Sequence, residues 1–251
     1  MSNGLGAVCD AFYVHSRLFL KLDMALERET VLHFFDRIRK EYPSLRKLRR
    51  RDPGCVVLED EPDEQGSRRW VRLDPASLRF GYFAPREMEE VRRFGELIFT
   101  HAPYHLTFSD IDYDYLEVIY GFDLEYRGNH DQLVAETLLG EQAARAFFGS
   151  EGSGQIIDAQ PYFGIAMTPG CDLQAYVEVK SRTTTFEVRN ATFEPSPITV
   201  FLTTRKYWSV EQPGSLEEAL RVLFDLADEL AAEKVVPNFV NPLAAAIASR
   251  S

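Results

Sequence analysis

The sequence predicts an α+β protein: a tandem duplication of a β-α-β-β-β-α unit, with antiparallel sheets that carry their helices packed on one face. The first observation behind this is the order of patterns. Aromatic and branched runs with period two alternate with amphipathic runs of helical period, in the order strand, helix, strands, helix, and that order occurs twice in 251 residues. The second is a gapless alignment of Arg17–Phe35 over Gly121–Leu139, which pairs Leu18 with Phe122, Leu20 with Leu124, Leu22 with Tyr126 and Phe34-Phe35 with Leu138-Leu139. The third lies in the hairpins, where Trp70 falls on Tyr176, Val71 on Val177, Leu73 on Val179 and Phe80 on Phe186. In the closing helices Met88-Glu89-Glu90-Val91 meets Leu216-Glu217-Glu218-Ala219.

The first unit is expected over residues 1–110. Residues 11–23 have strand composition, with Leu18, Leu20 and Leu22 on one face. From Glu27 to about Arg39, Val31, Phe34, Phe35 and Ile38 recur at helical spacing, and Pro43 closes the run. Strands follow at 55–59, 68–73 and 78–83, the last two joined through the turn Asp74-Pro75-Ala76-Ser77. Pro85 then opens a helix with Met88, Val91, Phe94, Leu97 and Ile98 inward.

The second unit is expected over 111–251. It comprises a strand at Tyr115–Tyr126, a helix at Asp131–Phe148, strands near 156–167, 173–181, 184–190 and 197–206, and a helix at 215–233. Ser215 and Glu218 are spaced as a capping box at the start of that helix. The unit is longer by one strand near 190–206 and by a short amphipathic tail, Asn241–Ser251. The two units are expected to form one compact pseudo-twofold molecule, with a concave sheet surface free to bind.

Charge narrows the partners. With 39 acidic and 28 basic residues the formal charge is −11, so the average field repels nucleic acid and anionic membranes. No apolar stretch approaches the roughly 20 residues that span a bilayer. The start of the chain has no basic segment ahead of an apolar run, so a cytoplasmic location is expected. Cys9, Cys55 and Cys171 lack Cys-x-x-Cys spacing, which argues against a disulfide framework and against a zinc knuckle; no cofactor is expected.

Several segments compete as sites. His101 and His105 precede Asp110, Asp112 and Asp114 and have metal-ligand side chains, but Pro103 is expected to spoil the helical spacing of the histidines, so no metal is assigned. His130 and Asp131 could line a polar pocket, or lie with Asn129 at a helix start, where such side chains hold free backbone amides. Neither a Gly-x-Ser-x-Gly elbow nor a Ser-x-x-Lys pair occurs, so no catalytic residue is assigned. Arg37–Arg51 is strongly basic, and Arg49, Arg50 and Arg51 are candidate binding residues; the acids at 59–64 offer an internal charge match instead. Gly149–Gly154 reads as a flexible linker. Lys180 and Arg182 at a turn, with Arg205, Tyr207 and Trp208 at a strand end, are candidates for a basic, aromatic binding rim.

The leading functional expectation is a non-catalytic binding or assembly protein that recognises a protein partner or a second copy of itself. A small-ligand protein or enzyme with a pocket between sheet and helices is the alternative. A nucleic-acid-associated role through residues 37–51 is the third.

Overall fold

The computed structural model describes residues 4–50, 54–140, 147, 154–208 and 214–250. The described strands form one nine-stranded antiparallel sheet. In chain order the elements are β1 (Ala11–Leu20), α1 (Arg28–Glu41), β2 (Lys47–Arg50), β3 (Val56–Glu59), β4 (Arg68–Asp74), β5 (Ser77–Phe83) and α2 (Met88–Leu106). Then come β6 (Tyr113–Tyr126), α3 (His130–Leu138), β7 (Tyr162–Ala166), β8 (Leu173–Lys180), α4 (Thr185–Asn190), β9 (Ser196–Tyr207) and α5 (Leu216–Leu230). A π-helical stretch, Ala231–Val240, continues α5 into α6 (Asn241–Ala248).

Strand order across the sheet is β2-β3-β4-β5-β1-β6-β9-β8-β7. The first strands of the two halves, β1 and β6, therefore lie side by side at the centre. Outward from that pair, each half places its last strand next and its earlier strands beyond. The mixed α and β content and the antiparallel sheet agree with the α+β expectation.

Alternation divides each strand between two faces. In β1 the even residues Phe12, Val14, Ser16, Leu18 and Leu20 are buried. Their face continues through Phe80 of β5, which meets Phe94 and Phe99 of α2, and Tyr120 of β6, whose ring lies 6.5 Å from Phe224 of α5. Thr204 of β9 is anchored here too, its hydroxyl donating to the Leu223 carbonyl at 3.0 Å. Tyr120 donates to Asp228 at 2.6 Å, and Arg92 of α2 pairs with the same carboxylate, so the two helices are tied together above the sheet.

Four expectations are corrected. Residues 184–190 are not a strand: Thr185–Asn190 is helical, because Thr184 and Glu187 form a reciprocal capping box that satisfies the first backbone amides. Phe186 is consequently an exposed helical residue and not a counterpart of the buried strand residue Phe80. Pro103 does not break α2, which runs on to Leu106 and keeps His101 and His105 on adjacent turns with ring centroids 6.2 Å apart. The amphipathic tail foreseen over Asn241–Ser251 is helical over Asn241–Ala248, continues α5 and packs against α3. The strand foreseen over 156–167 is confined to Tyr162–Ala166. Much of the expected Asp131–Phe148 helix beyond Leu138, and residues 149–153 of the Gly149–Gly154 linker, lie outside the described residues.

Candidate functional site

On the sheet face opposite α2 and α5, the strand registers organise the side chains into rows. One row crosses all nine strands: Arg49, Val57, Arg72, Arg79, Arg17, Glu117, Arg205, Gln174 and Ala166 are successive cross-strand partners. Neighbouring strands lie about 4.8 Å apart, so five arginines share a narrow band across the sheet.

Carboxylates hold this band in place without neutralising it. Arg205 donates from Nε and Nη2 to Glu117 Oε2 at 3.1 and 2.9 Å, and Arg17 lies 3.6 Å from the other oxygen. Arg72 and Arg79 share Asp74 at 2.7 and 3.1 Å, and Arg49 meets Glu59 at 2.8 Å. Five guanidiniums thus face three carboxylates. Arg17 and Arg79 are direct cross-strand partners; burial first, then the Arg17 charge, pull the Arg79 guanidinium below its ordinary pKa. Crowded like charges of this kind favour an incoming anion.

Aromatic rings flank the arginines. On one side Phe19, Tyr115 and Tyr207 are consecutive partners on β1, β6 and β9. The Arg17 guanidinium lies over Phe19 at 4.7 Å, and that of Arg205 over Tyr115 at 4.7 Å and Tyr176 at 5.2 Å. On the other side stand Trp70, His15 and Tyr176, then Phe83, Tyr13 and Phe201. His15 is central, with ring centroids of Tyr13, Trp70 and Phe83 at 5.0, 5.3 and 5.5 Å. Its Nε2 is buried without a hydrogen-bond partner, and burial followed by the Arg17 charge lowers its pKa to about 4.

Two glycines make these rings lie flat. A Cβ on Gly81 would come within 2.3 Å of the Trp70 indole, and one on Gly121 within 2.3 Å of the Tyr13 ring. Side chains at either position would push the aromatics off the sheet.

The residues expected from the sequence divide between this face and elsewhere. Arg49 and Arg205 stand in the arginine row, and Tyr207 in the adjoining aromatic row. Lys180 ends β8 opposite Thr199, and Arg182 reaches the same Thr199 hydroxyl at 3.3 Å. Arg50 follows Arg49 on the outermost strand and is exposed; Arg51 lies outside the described residues. Trp208 is not a rim residue: it is buried, packed edge-on against Tyr113 with centroids 5.0 Å apart. The basic run also meets the acids at 59–64, through Lys47–Glu61 and Arg49–Glu59.

His130 and Asp131 do not line an open pocket. Both are buried at the start of α3, where Asp131 accepts from the Ala159 amide at 2.9 Å and from the Ser181 hydroxyl at 2.7 Å. His130 Nδ1 accepts from the Arg182 amide at 3.3 Å, and Asn129 caps α3 through the Gln132 amide. They pin segments 154–161 and 181–184 to the helix. Between sheet and helices the space is filled by side chains such as Phe34, Phe80, Phe94, Phe99, Phe122 and Phe224, all essentially inaccessible. No protein-family model matches this chain, and no curated protein sequence does either.

The open-face residues Tyr13, His15, Arg17, Trp70, Arg72, Arg79 and Glu117 escape the sequence reading, although one signal for them exists. Along β1 the odd positions are Tyr, His, Arg and Phe while the even ones are apolar or small. Along β4 the even positions Arg68, Trp70 and Arg72 alternate with Val71 and Leu73. Large aromatic and guanidinium side chains on the outer face are a stronger hint of recognition than acids or lysines would be. Among the described residues no three His, Cys, Asp or Glu side chains converge as metal ligands, and no helix is long and apolar enough to cross a membrane.

Proposed function

We propose that this is a non-catalytic binding protein whose open sheet face receives a carboxylate-bearing segment of a protein partner. The observation that carries the reading is the single row of five arginines against one glutamate across nine strands. Guanidinium forks take carboxylates in bidentate fashion, and Arg, Tyr and Trp dominate interface hot spots. Two features favour a short acidic segment over a nucleic acid. The rings of Phe19, Tyr115 and Phe83 already carry stacked guanidiniums and offer no bare platform for bases. The chain charge of −11 also opposes a long polyanion.

The proposal extends to the origin of the face. A duplication, with its units at 1–110 and 111–251, would explain why β1 and β6 lie side by side. The alignment that sets Arg17 on Gly121 carries His15 onto Ile119. Those two residues are direct cross-strand partners. A twofold relating the halves would therefore pass through the centre of the sheet and of the candidate site. Both halves contribute to that site, because Arg17 comes from the first and Glu117 and Arg205 from the second.

The test is fluorescence of Trp70, one of two tryptophans and the one on the open face. A random glutamate–tyrosine copolymer is expected to shift its emission at low salt, and Arg79→Gln to weaken the effect roughly tenfold, the equivalent of 1.4 kcal/mol. No shift, or tighter binding of oligothymidylate than of the copolymer, overturns the reading.

A further inference from the structure

The two outer strands of the sheet differ in kind. At one edge β2 reads Lys47-Leu48-Arg49-Arg50, and basic side chains on an edge strand keep a second strand from adding. At the other edge β7 reads Tyr162-Phe163-Gly164-Ile165-Ala166 and has no charge at all. Tyr162, Phe163 and Ile165 are 60%, 50% and 52% exposed, so apolar side chains stand free on both faces of this strand.

Register determines which backbone groups of β7 point outward. The Val179 amide donates to the Pro161 carbonyl at 2.9 Å, and the Met167 amide to the Leu173 carbonyl at 2.8 Å. Residues 161 and 167 thus turn their polar groups toward β8, and by the alternation of an antiparallel ladder so do 163 and 165. The N–H and C=O groups of Tyr162, Gly164 and Ala166 point away from the sheet, and among the described residues none of them meets a backbone partner.

We propose that β7 pairs antiparallel with β7 of a second copy of this chain, about a twofold axis at Gly164. Gly164 then faces the partner's Gly164, and Tyr162 faces the partner's Ala166 and the reverse. All three pairs are of the hydrogen-bonded type, so every outward group of β7 gains a partner. Phe163 falls opposite the partner's Ile165, an apolar pair on the face that bears the helices. The contact is self-complementary, as a twofold interface must be. It also brings together the charge-free strand of a chain that carries −11, so the two copies meet with no ionic repulsion at the seam. The pairing uses none of the five arginines and stands or falls apart from the ligand reading.

Sedimentation and a register-specific cross-link test it. The weight-average mass of the full chain is expected to rise with concentration from monomer to dimer. Ile165→Lys, which places charge at the seam, and Ala166→Pro, which removes an outward N–H without breaking a bond to β8, are each expected to hold it monomeric, with the melting temperature unchanged at concentrations where the unsubstituted chain is itself monomeric. In a Cys171→Ser background, Tyr162→Cys combined with Ala166→Cys is expected to give a disulfide-linked dimer on mild oxidation, whereas either cysteine alone gives none. Within one chain these positions are about 13 Å apart along the strand, out of disulfide reach. A mass that stays monomeric at every concentration, a dimer that survives both substitutions, or a paired-cysteine variant that fails to link overturns the proposal.

Discussion

Glu117 on β6 holds Arg205 on β9 through two hydrogen bonds to one oxygen, Nε at 3.1 Å and Nη2 at 2.9 Å, while its other oxygen faces Arg17 on β1 at 3.6 Å. The glutamate is buried, and the guanidiniums that cover it are partly open to solvent. One carboxylate on a central strand therefore orients cations from both halves of the chain.

Replacing Glu117 by Gln leaves two guanidiniums without their counter-charge. Loss of one member of a buried pair costs about 3–5 kcal/mol; with the arginines partly solvated, about 2 kcal/mol is expected here. Urea unfolding at neutral pH measures it, and a midpoint equal to that of the unsubstituted chain would show that Glu117 does not anchor the row.

His15 makes stability depend on pH. Its folded pKa, about 4, lies below the ordinary value of 6.5, so the unfolded chain takes up the proton first as pH falls. The resulting stability is fully present above pH 6.5 and is lost between about 6.5 and 4, by up to about 3 kcal/mol. A His15→Gln chain lacks this component, and its stability should fall less between pH 7 and pH 4.5. Parallel stability curves for the two chains would refute the assignment.

Gly81 to Ala adds a Cβ where the Trp70 indole lies, at a projected 2.3 Å. The ring must swing off β5, at a cost of about 1–3 kcal/mol for an overpacked site. Both a lower melting temperature and a red-shifted Trp70 emission are expected. An unshifted spectrum would mean that the ring does not rest on Gly81.

Asp131 fastens the chain segment before β7. Asp131→Ala removes acceptors from the Ala159 amide and the Ser181 hydroxyl in a buried setting, which costs roughly 2–4 kcal/mol across two lost bonds. Hydrogen exchange at the Ala159 amide is expected to accelerate well beyond that of the β1 and β6 amides. Equal acceleration throughout would instead indicate global destabilisation.

Local pattern made much of the fold legible, since β1, α1, β4, β5, β6 and α5 follow from apolar spacing that repeats within one element. Residues 184–190 read as a strand because Thr-Thr-Phe-Glu-Val has strand composition, whereas a hydrogen bond from the Glu187 amide to the Thr184 hydroxyl commits the segment to a helix. Trp208 shows the opposite limit. A tryptophan at a strand end is a plausible contact residue until the fold sets Tyr113 beside it. Of the candidate site, Arg49, Arg205 and Tyr207 were visible as basic or aromatic residues near strand ends, but their companions Arg17, Arg72 and Arg79 were not.

What the sequence determined by itself was the identity and order of most elements and which side of their strands turns inward, because periodicity is a property of consecutive residues. The tertiary structure alone decided that Arg49, Arg72, Arg79, Arg17, Glu117 and Arg205 stand in line. Strand register is set by pairings between segments up to about 110 residues apart, as between Ala11 and Asp123, and no local spacing encodes it. The same register turns the polar groups of Tyr162, Gly164 and Ala166 outward, and so decides which edge of the sheet can add another strand.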